Sequence, residues 1–196
     1  MAHPIAVLEV GTAETRVLVA EPREDGHLMI TGLGRTPSSG VRKSEIVDLE
    51  NAKICVKSAL TEAENNAGVS IQEVWLVFSG AHIRHLNNRG TVTVMSEDQV
   101  ISVEERQEAM EAAQAVSLPH DCETIHHICG RYHVDGNAEG VLNPDGMSGS
   151  RLSVDMLILY AASNRLRNLL RLVEESGVEV AEVAFGGLCS GFSVLT

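Results

Sequence analysis

Apolar positions along the chain fall into two kinds of run. Residues 5–10 and 16–20 are short and rich in β-branched residues, with Gly11-Thr12 between them. That pattern predicts two paired strands joined by a tight connection. Residues 27–35 alternate well enough for a third strand, and Thr36-Pro37-Ser38-Ser39-Gly40 is a turn cluster. After Asp48, the residues Ala52, Val56, Ala59, Leu60 and Ala63 recur at helical spacing until Gly68, a natural C-terminal stop. Residues 73–80 read as a short apolar strand, and the step from helix to strand predicts a parallel addition to the sheet.

From about His82 the pattern changes. Residues 90–95 alternate as a strand, and Ser102 with Glu105 forms a capping box that opens a helix to about Val116, stopped by Pro119. Residues 124–134 and 152–161 are two more strands, separated by a Gly-, Asn- and Pro-rich loop over 135–149. This strand-helix-strand-strand order reads as a small unit inserted into the first. Ser163 is then expected to cap a helix carrying Leu166, Leu169, Leu170 and Val173 on one face, and residues 179–185 give a final strand. Residues 183–195 are apolar or small and carry no charge, which reads as a core element cut off before its packing partner.

Composition narrows the function classes. With 44% hydrophobic but only 3% aromatic residues, the core is built from Val, Leu, Ala and Ile. The length allows one sizeable domain or two small ones. A formal net charge of −12 argues against nucleic acid, whose phosphates need clustered Lys and Arg. Cys55, Cys122, Cys129 and Cys189 show no paired spacing and follow no signal peptide, so free thiols in a reducing cytoplasm are expected. No apolar run approaches the roughly 20 residues of a spanning helix.

Candidate chemistry centres on the first hairpin. Gly11 lets the backbone turn sharply and approach a ligand, Thr12 adds a hydroxyl and an N–H, and Glu9 can hold a metal ion or its water shell. This is the chemistry of a phosphate-cradling turn, although strand-Gly-Thr-strand also describes an ordinary hairpin. His120, Cys122, His126, His127, Cys129 and His133 invite a zinc reading, and strand parity groups His127, Cys129 and His133 on one face. Packed or half-exposed strand residues are the better reading. Gly187-Leu188-Cys189-Ser190-Gly191 mimics a nucleophile elbow but lacks a following acid and histidine, so core packing of Cys189 is expected instead. Arg165, Arg167 and Arg171 read as a solvated helix face, and Glu104, Glu105 and Glu108 as helix-start charge.

Several tracts carry a family resemblance. They are Leu8-Glu9-Val10-Gly11-Thr12-Ala13, Gly40-Val41-Arg42-Lys43 with Ile46-Val47-Asp48, Ser79-Gly80-Ala81-His82-Ile83, Leu118-Pro119, and His126 and Tyr132 with Asp135-Gly136. The longest is Asn143-Pro144-Asp145-Gly146-Met147-Ser148-Gly149-Ser150-Arg151-Leu152, and Gly177-Val178-Glu179-Val180 and Ser193-Val194-Leu195-Thr196 follow it. On these the chain resembles the FtsA family, the actin-like cell-division proteins of bacteria, over essentially its whole length.

The resemblance implies an α/β, actin/Hsp70-like (ribonuclease H-like) half-domain with an inserted α+β subdomain of the SHS2 type. Residues 1–83 and 162–196 look like an incomplete subdomain 1A, and 84–161 like subdomain 1C. It places Glu9 as the metal-side carboxylate, Gly11 and Thr12 in the phosphate turn, and Arg16 as its basic residue. Glu14 stands where many relatives have Lys, and a carboxylate there opposes bound phosphate. ATP with Mg is the cofactor of the full-length family. The second phosphate hairpin and the adenosine turn are expected beyond Thr196, so tight binding and hydrolysis by these residues are not expected. The implied role is an adaptor at the inner face of the cytoplasmic membrane that links FtsZ filaments to the membrane and recruits later divisome proteins, with self-association into filaments. The family's FtsZ-tail site and membrane-binding C-terminal helix lie outside these residues. The rival readings are an actin-like ATPase supplying one lobe of a nucleotide cleft, and a pilus-assembly adaptor of the same superfamily, which the 143–152 tract disfavours.

Overall fold

In a computed structural model that describes residues 3–195, the chain divides into two compact units. One runs to His82 and resumes at Ala162, and the other is Ile83–Ala161.

The first unit begins with three antiparallel strands, β1 (Ile5–Val10), β2 (Glu14–Pro22) and β3 (Leu28–Pro37). A miniature hairpin follows, β4 (Val41–Arg42) and β5 (Glu45–Ile46), and leads into helix α1 (Leu49–Ala67). Asp48 caps α1 by accepting from the Asn51 N–H at 3.1 Å, and Gly68 closes it in the left-handed region at φ 70°. Strand β6 (Glu73–Phe78) then adds parallel to β1, as the helix-to-strand step predicts.

Alternation fixes which face is core. Leu8, Val17, Val74, Leu76 and Phe78 are buried, and so is the expected α1 stripe of Ala52, Val56, Ala59, Leu60 and Ala63. Full burial of a residue such as Val56 or Leu60 is worth about 1.5–3 kcal/mol each. Gly32 and Gly34 of β3 let α1 lie close, since a Cβ at Gly34 would stand 1.9 Å from the Ala59 carbonyl oxygen. The opposite face, with Val7, Glu9, Arg16 and Trp75, is at least partly open.

The second unit holds β7 (Arg84–Thr93), α2 (Val103–Gln114), β8 (Cys122–Val134) and β9 (Arg151–Ala162), with sheet order β7-β9-β8. Strand β7 starts at Arg84 rather than Gly90. Its first residues are polar because it is an edge strand, and its antiparallel register with β9 organises them without an apolar pattern. The Ser102–Glu105 capping box is present. Gly90 admits α2, whose Ala109 and Ala113 are buried beside Leu152, Val154, Met156 and Ile158. The 135–149 loop is tied down: Tyr132 bridges to Val141, Ile101 exchanges backbone bonds with Gly146 and Met147, and the Asp135 carboxylate accepts from the Ser150 and Arg151 N–H groups.

The chain then returns to the first unit with α3 (Ser163–Glu175), β10 (Glu179–Phe185) and α4 (Gly186–Val194). Strand β10 joins β6 in parallel, giving the order β10-β6-β1-β2-β3. Two local expectations change here. Ser163 is the first residue of α3, and the N-cap is Ala162, which makes no side-chain cap bond. Leu172 rather than Leu170 completes the buried face with Leu166, Leu169 and Val173. The apolar end forms a short helix with no buried residue, and Phe192 and Val194 are about three-quarters exposed.

Candidate functional site

Parallel strands β1, β6 and β10 end on the same edge of the sheet, the place where open α/β sheets bind ligands. At that edge β1 turns through residues 11–14, closed by the Gly11 N–H donating to the Glu14 carbonyl at 3.1 Å. A Cβ at Gly11 would lie 2.7 Å from that carbonyl oxygen, so only glycine fits. The turn is braced from behind. Ser38 donates its N–H to the Ala13 carbonyl at 2.9 Å, and the fully buried Thr15 hydroxyl bonds the Ser38 hydroxyl at 2.9 Å.

Glu9 and Arg16 are direct cross-strand partners, with Arg16 Nη1 3.9 Å from Glu9 Oε2. Arg16 Nε donates to Glu14 at 3.0 Å, and Arg35 Nη2 approaches Glu14 from β3 at 3.6 Å. The Glu14 carboxylate is therefore held between two guanidinium groups. Its repulsion of a phosphate is correspondingly reduced. Glu9, Gly11, Thr12 and Arg16 thus lie around one turn.

The β4–β5 hairpin packs on this turn, a contact that the sequence pattern does not reveal. The Ser44 N–H donates to Thr12 Oγ1 at 3.1 Å. On the hairpin's other side Glu45 is paired with Arg165 of α3 at 3.0 Å, and Arg165 reaches His82 Nδ1 at 3.4 Å. The His82 ring stands edge-on to Phe78, with centroids 5.0 Å apart. Burial, then the Arg165 charge, push the His82 pKa below its ordinary value, opposed by Glu45. Arg165 is thus part of a bonded cluster rather than a solvated face.

The other candidates separate. His133 is buried and bonds Asp155 at 2.9 Å and the Asn137 carbonyl at 2.6 Å, whereas His127 and Cys129 are exposed. Tyr132 and His133 are both buried although adjacent, so strict strand parity does not hold across this stretch. Among the described residues no three His, Cys, Asp or Glu side chains converge as a metal site. Burial first, then a bond with Cys129, push the Tyr132 phenol up to about 12. Cys189 lies exposed inside α4, which corrects the expectation of core packing and removes the strand-to-helix apex of a nucleophile elbow.

Comparison with known proteins places this geometry. Residues 80–160 match the family model described as the SHS2 domain inserted in FTSA. The chain is 35% identical over 192 residues to the cell division protein FtsA of Pseudomonas aeruginosa, covering 98% of this chain and 45% of that protein. It is 34% identical over 189 residues to FtsA of Bacillus subtilis, covering 96% and 42%, and to FtsA of Escherichia coli, covering 96% and 44%. The chain therefore spans somewhat less than half the length of these relatives. A solved PilM–PilN type IV pilus biogenesis complex shares the fold, with a TM-score of 0.62 at 13% identity over 96% of this chain and 49% of that one. The architecture is thus that of an actin-like α/β half-domain with an SHS2 insertion. Over nearly its whole length the chain is thus similar to FtsA proteins, and residues 80–160 carry the SHS2 domain inserted in FTSA.

Proposed function

We propose that the chain acts in bacterial cell division as the N-terminal part of an FtsA-type adaptor, which links FtsZ filaments to the inner face of the cytoplasmic membrane and recruits later division proteins. The observation that carries this reading is the 34–35% identity to FtsA proteins over 96–98% of the chain. Residues 84–161, as the family's subdomain 1C, supply contacts to division partners and to neighbouring copies. Residues 1–83 and 162–196, as subdomain 1A, supply one wall of a nucleotide site.

In that wall Gly11 and Thr12 would hold phosphate, Glu9 would hold the magnesium ion or its water shell, and Arg16 would balance charge. Hydrolysis of MgATP would need electrostatic positioning from both lobes. The rival reading, an actin-like ATPase, is separated by phosphate release from MgATP with the purified chain. The adaptor reading predicts release at background level. Turnover that Gly11→Val abolishes would favour the ATPase.

A further inference from the structure

The β4–β5 hairpin has a tip that its own chemistry does not favour. Lys43 and Ser44 both sit in the left-handed region, at φ 50° and 59°. Two adjacent non-glycine residues there cost roughly 1 kcal/mol or more each, and such strain persists only where the surroundings impose it. Here the surroundings are specific. Ser44 is bonded to Thr12, and Glu45 is clamped by Arg165. Gly80 leaves room for Ser44, since a Cβ at Gly80 would meet Ser44 Cβ at 3.2 Å.

Charge around the turn is short of free cations. Glu9 and Glu14 are both present, and Arg16 and Arg35 are engaged with Glu14. Lys43 is exposed, adjoins the residue that touches Thr12, and enters none of the ion pairs found among the described residues. Its flexible stem carries a compact ammonium suited to a phosphate oxygen.

We propose that the β4–β5 hairpin forms the second half of the phosphate-binding surface, with Lys43 supplying the cation for a triphosphate held over residues 11–13. The Ser44 N–H occupies a lone pair of Thr12 Oγ1, which leaves the hydroxyl proton to donate toward the ligand. This inference rests on the nucleotide reading of the turn.

The test is amide-shift mapping of the full, isotope-labelled chain titrated with MgATP at low ionic strength. The wild type is compared with Lys43→Gln, Lys43→Glu, Lys43→Arg and Gly11→Val. Lys43 is exposed, so the first three variants keep the fold, which their unliganded spectra verify. The expected result is shifts gathered on residues 11–13 and 42–45. The apparent dissociation constant rises about tenfold in Lys43→Gln, more in Lys43→Glu, and stays within about twofold in Lys43→Arg. Wild-type binding that Gly11→Val abolishes but Lys43→Gln and Lys43→Glu leave unchanged overturns the hairpin's role and leaves the nucleotide reading standing. No shift at residues 11–13 in the wild type at about 10 mM MgATP overturns both.

Discussion

Arg165 directs its guanidinium at His82 Nδ1 across 3.4 Å, and this fixes the state of the ring. A guanidinium only donates, so Nδ1 is the acceptor and the ring proton sits on Nε2, which is buried with no partner among the described residues. His82 is thus held neutral beside the braced turn.

This gives a pH dependence with a definite sign. The folded pKa lies below the ordinary 6.5, so the folded state binds fewer protons than the unfolded one between the two values. The His82 contribution is fully present above about pH 6.5 and is lost as pH falls through the folded value. Urea unfolding of wild type and His82→Leu should show the wild-type curve falling more steeply from pH 7 to 5. Parallel curves would mean that His82 is not desolvated.

Asp155 supplies a second pH effect in the other unit. Arg89 donates to both carboxylate oxygens, at 2.6 and 2.9 Å, and His133 adds a third contact. Arg89 first, and His133 after it, hold the Asp155 pKa below 3.8. Its stabilisation is present above the unfolded value and lost as pH falls through the lower folded one. Asp155→Asn should cost about 1–2 kcal/mol at neutral pH, modest because the side chain is half exposed, and should flatten the acid limb below about pH 4. Denaturant midpoints across that range check it.

Helix α1 owes its close approach to β3 to Gly34. Gly34→Ala drives a methyl group against the Ala59 carbonyl and should cost about 2–4 kcal/mol by moving the helix off the sheet. Gly26→Ala, at φ 83° with open space around it, should cost about 1 kcal/mol. Thermal melts of the two variants measure the difference, and equal losses would contradict the close packing.

These contacts mark the boundary of what the residues reveal in order. The α1 stripe and the Ser102–Glu105 box are legible because each follows a period or spacing that local geometry dictates. Gly11 and Thr12 are legible as a turn for the same reason. The contact from Ser44 to Thr12 spans 32 positions, and strands of two residues have no period to read. Lys-Ser is also not the Asn-Gly signature of a hairpin with two left-handed residues. Arg165 reads as surface because its helix position says nothing of Glu45, which reaches it from another element.

The role in division is tested most directly in cells. A fluorescent fusion of the chain, produced in dividing Escherichia coli beside the native FtsA, should gather at the division site. Overproduction should lengthen cells by occupying division partners. A fusion that stays dispersed at every level, while the purified chain is folded, would contradict the adaptor account.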